Sequence, residues 1–225
     1  MIIVPIAHIE SEFPQKFGIP RQPSLARNVW SRIVFESDYR NPDCIRGLEV
    51  SSHIWLIWEF SEFTGKPWTP LVRPPRLGGN RKMGVFATRA PMRPNSMGLS
   101  AVKIEDISID PKLGPVITVS GADLMNGTPI YDIKPYVPYT DSLPEATTQL
   151  FSEPATLSGV RIECALPHPE TDRRIVALRE ILLQDPRPAY KRSGSDMYAF
   201  EFSDMHVEFC VVDGVAIVRN LSIIK

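Results

Sequence analysis

The chain has 225 residues, 25 Lys and Arg against 26 Asp and Glu, a net charge of −1, and 43% hydrophobic residues. That length suits one large or two small domains, and the composition argues against disorder. No segment approaches the roughly 18 apolar residues of a spanning helix, and the first residues lack the basic start and long apolar run of a secretion signal, so a cytoplasmic protein is expected.

Cys44, Cys164 and Cys210 are odd in number and widely spaced, so neither a disulfide framework nor a zinc site is suggested. His8, His53, His168 and His206 show no metal-ligand spacing either, and no metal is expected.

Residues 2–9 are apolar and β-branched and read as a first strand. Residues 13–25 carry three prolines and a glycine among sticky side chains, a loop made for contact. Residues 29–35 read as a second strand, and Asn41-Pro42-Asp43 as a turn. In 50–60, Ile54, Leu56, Trp58 and Phe60 fall at period two with Trp55 and Ile57 between them, which predicts a strand buried on both faces. Trp55 and Trp58 then belong to the core rather than to a base-stacking platform.

Between Glu62 and Glu105 no acidic residue occurs, while Lys66, Arg73, Arg76, Arg81, Lys82, Arg89, Arg93 and Lys103 all do. A nearly neutral chain thus gathers its positive charge in one segment, the mark of an anion site. Pro74, Pro75, Pro91 and Pro94 with Gly78, Gly79, Gly84 and Gly98 make this a shaped loop. Within it residues 83–88 read as a short strand delivering Arg89 into the turn Ala90-Pro91, ahead of Arg93 and Asn95. A merely solvated basic loop has no need of such stiffness around its arginines. Gly79 to Gly84 has P-loop spacing, but Val85 and Phe86 stand where Lys and Ser/Thr are required, and no Gly-x-Gly-x-x-Gly opens a helix.

Residues 99–109 and 116–120 read as strands joined by a hairpin at 112–115, and Asn126-Gly127 as a tight turn able to approach a ligand. Asp132, Lys134 and Tyr136 place a carboxylate, an amine and a phenol within five positions. Residues 145–154 read as a linker. Beyond it, 172–184 has Ile175, Leu178, Ile181 and Leu182 on one helical face, Thr171 or Asp172 to cap it and Pro186 to stop it. A basic, proline-set loop at 185–192 follows, then strands at 198–202, 206–212 and 215–223 with a two-residue turn at Asp213-Gly214. The expected fold is mainly β: a closed or strongly curved sheet in residues 1–150, then a small α+β domain in 151–225.

The run Arg-Pro-Pro-Arg-Leu-Gly-Gly-Asn80, then Gly-Val-Phe-Ala-Thr-Arg89 and Arg-Pro-Asn-Ser-Met-Gly-Leu-Ser100, resembles the signature of the TrmO (YaeB/TsaA-like) tRNA methyltransferases. The likeness continues in Lys16 to Pro23, Arg46 to Glu49, Ser52 to Trp55, Asn126 to Pro129, Asp132 to Tyr136 and Asp185 to Tyr190, nearly the whole chain. Asn126 departs from the Asp that the family pattern favours.

The resemblance implies a single-sheeted β-barrel, a homodimer, and methyl transfer from S-adenosylmethionine to N6 of threonylcarbamoyladenosine beside a tRNA anticodon. It implies a cofactor site made by Pro23, Ser24, Leu25, Ser61, Glu62, Arg89, Asn95, Leu99, Asp123, Leu124, Met125, Asn126 and Gly127. Asp132 is the expected proton acceptor. Arg73, Arg76, Arg81, Lys82 and Arg93, with Arg187 and Tyr190 of the second domain, are the expected RNA contacts, and the resemblance lets Lys16 and Arg21 face RNA as well. Two rival readings use fewer of these residues: a non-catalytic tRNA- or anion-binding module, which needs the basic loop alone, and a hydrolase, for which Ser96 and Ser100 lack a nucleophile elbow.

Overall fold

The structure, a computed structural model, describes residues 2–74, 81–148, 156–187 and 196–224. Its strands are β1 (Ala7–Ser11), β2 (Trp30–Phe35), β3 (His53–Glu59), β4 (Leu71–Val72), β5 (Met83–Gly84), β6 (Met97–Asp110), β7 (Gly114–Ser120), β8 (Pro129–Pro135), β9 (Gly159–Ile162), β10 (Tyr198–Phe202), β11 (Met205–Val212) and β12 (Val215–Ile223). Among the described residues two α-helices accompany them, α1 (Pro138–Asp141) and α2 (Arg173–Leu183).

Six strands close into an antiparallel barrel in the order β1-β2-β7-β6-β3-β8, with β8 returning to β1. Closure pairs every strand on both sides and removes the exposed edges of an open sheet. Alternation explains the interior: Ile9, Ile33, Ile54, Leu56, Val102, Ile117, Val119 and Ile130 point inward and are fully buried. Each such side chain contributes about 1.5–3 kcal/mol relative to exposure.

β3 departs from its expected burial on both faces. Ile54, Leu56 and Trp58 fill the barrel, whereas Trp55, Ile57 and Glu59 are only half-buried on its outer wall. Trp55 and Ile57 are apolar on that wall because they line a cleft, not because a second layer covers them. Trp58 packs so closely on its cross-strand partner Gly98 that a Cβ there would lie 2.3 Å from the indole, so that position has room only for glycine.

Residues 83–88 also differ from expectation. Only Met83 and Gly84 pair, with the two residues of β4, and Val85–Ala87 turn into a 3₁₀ helix. The Val85 side chain is buried while Phe86 is exposed, and Thr88 closes the turn by donating its backbone N–H and its hydroxyl to the Val85 carbonyl. β-Branched content here marked one anchor, not a ladder.

A second core lies in the C-terminal part. The sheet β10-β11-β12-β9, with β9 parallel to β12, packs against α2 through Ile175, Leu178, Ile181, Phe200, Phe209 and Val218. Asp172 caps α2 as expected, accepting from the Arg174 N–H, and Asp213 and Gly214 both adopt positive φ in the β11–β12 turn. The proposed 150/151 boundary falls among residues outside the description.

That core is completed by the segment between β1 and β2. Phe13, Ala26 and Val29 are buried in it, with Phe17 and Ile19 at its edge. Polar contacts fix the same segment: the Arg173 guanidinium donates to both Glu12 oxygens at 2.8 Å, and Glu180 accepts from the Asn28 backbone and side-chain nitrogens at 2.8 Å.

Candidate functional site

The outer wall of β3 and β6, the 16–25 segment, residues 61–63, the 88–93 turn and the end of α2 enclose a cleft of about 1870 Å³. Pockets for drug-sized ligands are typically about 300–1,000 Å³, so this cleft has room for more than one such group.

The cleft gathers many of the expected cofactor residues. Pro23, Leu25, Ser61, Glu62, Arg89, Leu99, Asp123 and Met125 line it. Ser24 takes a positive φ of 63° as its N–H donates to the Gly121 carbonyl at 2.8 Å, pinning the segment to the end of β7 and so presenting Pro23 and Leu25. Arg89 follows the 3₁₀ turn and is tied to Gln22 Oε1, which links the basic loop to that segment.

Other expected residues sit elsewhere. Asn95 is exposed and Leu124 is buried in the barrel; neither lines the cleft. The Asn126-Gly127 turn holds β1: the Asn126 side-chain oxygen accepts from the Ser11 N–H at 3.0 Å and the Gly127 N–H donates to the Ile9 carbonyl at 2.8 Å. Asp132 pairs opposite Ile57, on the strand next to the cleft wall, and its half-exposed carboxylate meets the Lys134 ammonium at 2.9 Å.

Among the expected RNA contacts, Arg73, Lys82 and Arg93 line the cleft and Arg81 is exposed beside Lys82. Arg93 also braces the loop, donating to the Val85 and Thr88 carbonyls at 3.2 and 2.8 Å and lying over the Phe86 ring. Arg187 is a buried residue whose guanidinium is taken up by the buried Asp185 carboxylate at 2.8 Å, which leaves little of it for a phosphate. Arg21 donates to the Arg187 carbonyl at 3.0 Å, and Lys16 pairs with Glu62 at 3.5 Å. Arg76 and Tyr190 lie outside the described residues.

The floor holds an arrangement that no motif announced. The Trp58 indole N–H donates to Ser100 Oγ at 3.0 Å, and the Ser100 hydroxyl donates to Asp123 Oδ1 at 2.6 Å. Burial pushes the Asp123 carboxyl up to about 6, against the opposing pull of the Ser100 hydroxyl and the Arg89 charge. It is enclosed on most sides yet reachable from the cleft. One signal was available in the sequence: Ser100 shares the inward phase of Val102, and a polar side chain at a core position requires a partner. Nearby, burial and then the Glu59 carboxylate, which accepts the Tyr131 hydroxyl at 2.6 Å, push the Tyr131 phenol up to about 12.

Among the described residues no cluster of three or more His, Cys, Asp or Glu could hold a metal, and no helix is long and apolar enough to cross a membrane.

A closed six-stranded barrel, an appended α+β domain and a cleft between basic loop and barrel wall define a β-barrel protein with a large, cation-rimmed cleft. Comparison with known proteins gives the family. The model of the tRNA-methyltransferase O N-terminal domain matches residues 8–142, and that of the TrmO C-terminal domain matches residues 163–224. The Escherichia coli tRNA (adenine(37)-N6)-methyltransferase is 37% identical over 222 residues, covering 92% of each chain. A putative S-adenosylmethionine-dependent methyltransferase, RcsF of Pseudomonas aeruginosa, is 40% identical over 199 residues, covering 84% of this chain and 83% of its own. A crystal structure of TrmO from Pseudomonas aeruginosa superposes with a TM-score of 0.77 at 30% identity, covering 99% of this chain and 97% of that one. The chain belongs to the TrmO family.

Proposed function

We propose that this protein transfers the methyl group of S-adenosylmethionine to N6 of the threonylcarbamoyl-modified adenosine at position 37 of a tRNA. The observation that carries the reading is the cleft: one continuous space with an apolar wall, a carboxylate floor and a cationic rim. The chemistry of the donor set fits the cofactor. Pro23, Leu25, Leu99 and Met125 offer apolar contact for a purine, Ser61 and Glu62 can accept from ribose hydroxyls, and Arg89 can pair with a carboxylate. When bound, S-adenosylmethionine supplies an electrophilic methyl group that needs no metal.

The residues of the chain then position and desolvate. Holding donor and acceptor in line contributes up to about 7–11 kcal/mol in favourable cases. Arg73, Arg81, Lys82 and Arg93 meet the phosphates of the anticodon stem-loop, which allows a chain of net charge −1 to bind RNA. Exposed Leu71 and Met92 at the cleft offer an apolar surface for a second subunit, consistent with a homodimer working in the cytoplasm, where tRNA is its partner.

Mass spectrometry of tRNA nucleosides after incubation with protein and S-adenosylmethionine tests the reading. The N6-methylated threonylcarbamoyladenosine is expected. Binding of both ligands without any methylated nucleoside would reject it.

A further inference from the structure

Two aspartates compete for the proton that leaves N6, and their surroundings differ. Asp132 is half-exposed on β8 and already paired with Lys134 at 2.9 Å, so its charge is compensated and wet. Asp123 stands at the cleft floor, just beyond β7, with its carboxylate oriented through two further side chains, Ser100 and Trp58. Arg89, which also lines the cleft, is the charged group that acts on it. A proton acceptor works best when its orientation is fixed and it faces the reacting group, and of the two aspartates it is Asp123 that lines the cleft with its carboxylate held by Ser100.

Resting on the methyl-transfer reading above, we propose that Asp123 is the proton acceptor of the reaction, taking the N6 proton of the modified adenosine as the methyl group arrives. The carbamoyl substituent delocalises the N6 lone pair, so this nitrogen is amide-like and must lose its proton to react. In the balanced step the N6–H proton passes to the Asp123 carboxylate and the freed N6 electron pair forms the new N–CH₃ bond. The electron pair of the broken S–CH₃ bond stays on sulfur, leaving a neutral thioether and a neutral carboxylic acid. The proton then leaves to water through the open side of the cleft.

Ser100 is a positioning residue in this scheme. Its hydroxyl favours the ionised carboxylate, and the Trp58 indole N–H fixes which way that hydroxyl points.

The test uses the full-length protein, S-adenosylmethionine and a tRNA carrying threonylcarbamoyladenosine, with single-turnover rates measured from roughly pH 5 to 8.5. The wild-type rate is expected to rise tenfold per pH unit up to about 6 and then level off, while Asp123→Asn is slower by about 100-fold or more above that point. The slower rate should persist when S-adenosylmethionine is saturating. Ser100→Ala should move the acid limb to higher pH, an effect that a purely structural role does not produce. In the free protein, infrared difference titration should show a protonated carboxyl band disappearing near pH 6 in wild type and absent from Asp123→Asn.

The proposal is overturned if Asp123→Asn reacts at the wild-type rate, if saturating cofactor restores that rate, or if Asp132→Asn alone abolishes the step. It is likewise overturned if the carboxyl band does not depend on Asp123, a result that needs no turnover. Absence of methyl transfer in the wild type, with the band present, would instead reject the methyl-transfer reading and the proposal with it.

Discussion

The barrel and the C-terminal sheet bury their apolar faces in different ways. In the barrel the inward residues of six strands meet one another, so the sheet closes its own core. The C-terminal sheet and α2 rely on Phe13, Ala26 and Val29, which arrive from between β1 and β2. The segment that supplies them also lines the cleft with Lys16, Pro23 and Leu25. One wall of the site is therefore the back of the second core, and the C-terminal domain acts as a clamp on that wall.

Phe13→Ala breaks the clamp most directly. Removing a fully buried Phe should cost about 3–5 kcal/mol in urea denaturation, with weaker S-adenosylmethionine binding as the wall loosens. A protein truncated after residue 148 is the extreme case. The cofactor motifs all precede Tyr136, so the sequence alone suggests that such a protein keeps its cofactor affinity. The packing reverses that expectation: Phe13, Phe17, Ile19, Ala26 and Val29 would lose their cover, and binding should fail. Wild-type affinity in the truncated protein would show that the two cores are independent.

The barrel's weakness lies at its floor. The Asp123 carboxyl rises from 3.8 to about 6 on folding, so between these values the folded state holds a proton that the unfolded state has lost. Stability from this group is full below about pH 4 and is lost as pH rises through about 6. Asp123→Asn, which resembles the protonated form, should match wild type in acid and exceed it at neutral pH by at most about 3 kcal/mol. Melting temperatures at the two pH values check this. Equal destabilisation at both would mean that the carboxylate is a structural necessity.

Gly98→Ala probes the same floor from the neighbouring strand. The new methyl would collide with the Trp58 indole, at a cost of about 1–3 kcal/mol, and would displace the donor that orients Ser100. The effect should be confined to the barrel. Trp fluorescence should change while the α2 contacts remain, and an unshifted Trp58 environment would contradict the close packing.

Local chemistry made some of this legible. Asp172 and the apolar stripe of α2, and the Asp213-Gly214 turn, are set by side chains within a few residues, and the structure keeps both. The barrel order was not legible, because β2 pairs with β7 and β1 with β8 across about half the chain. The same distance hid the surroundings of Asp123, which the family resemblance offered only as a cofactor residue: its partners Ser100 and Trp58 stand on strands β6 and β3, and only the closed sheet brings them together. Sequence proximity favoured Asp132 instead, whose neighbour two residues on neutralises it. Arg187 looked like a surface cation until folding buried it against Asp185.

The smallest effect on the folded protein belongs to the cleft's rim. Arg81 and Lys82 are exposed, and Lys82 borders the cleft, so neither core depends on them. Replacing both by Ala should leave the melting temperature almost unchanged, as surface substitutions stay within about 0.5 kcal/mol. Their contribution should instead appear in binding. Each phosphate contact releases condensed counterions, so the logarithm of tRNA affinity against the logarithm of salt should lose up to about two contacts' worth of slope. The weakening should be greatest in low salt and should not depend on the bases flanking the anticodon. An unchanged slope would take the RNA backbone off this rim and leave the remaining cleft cations, Arg73 and Arg93, to be tested in the same way.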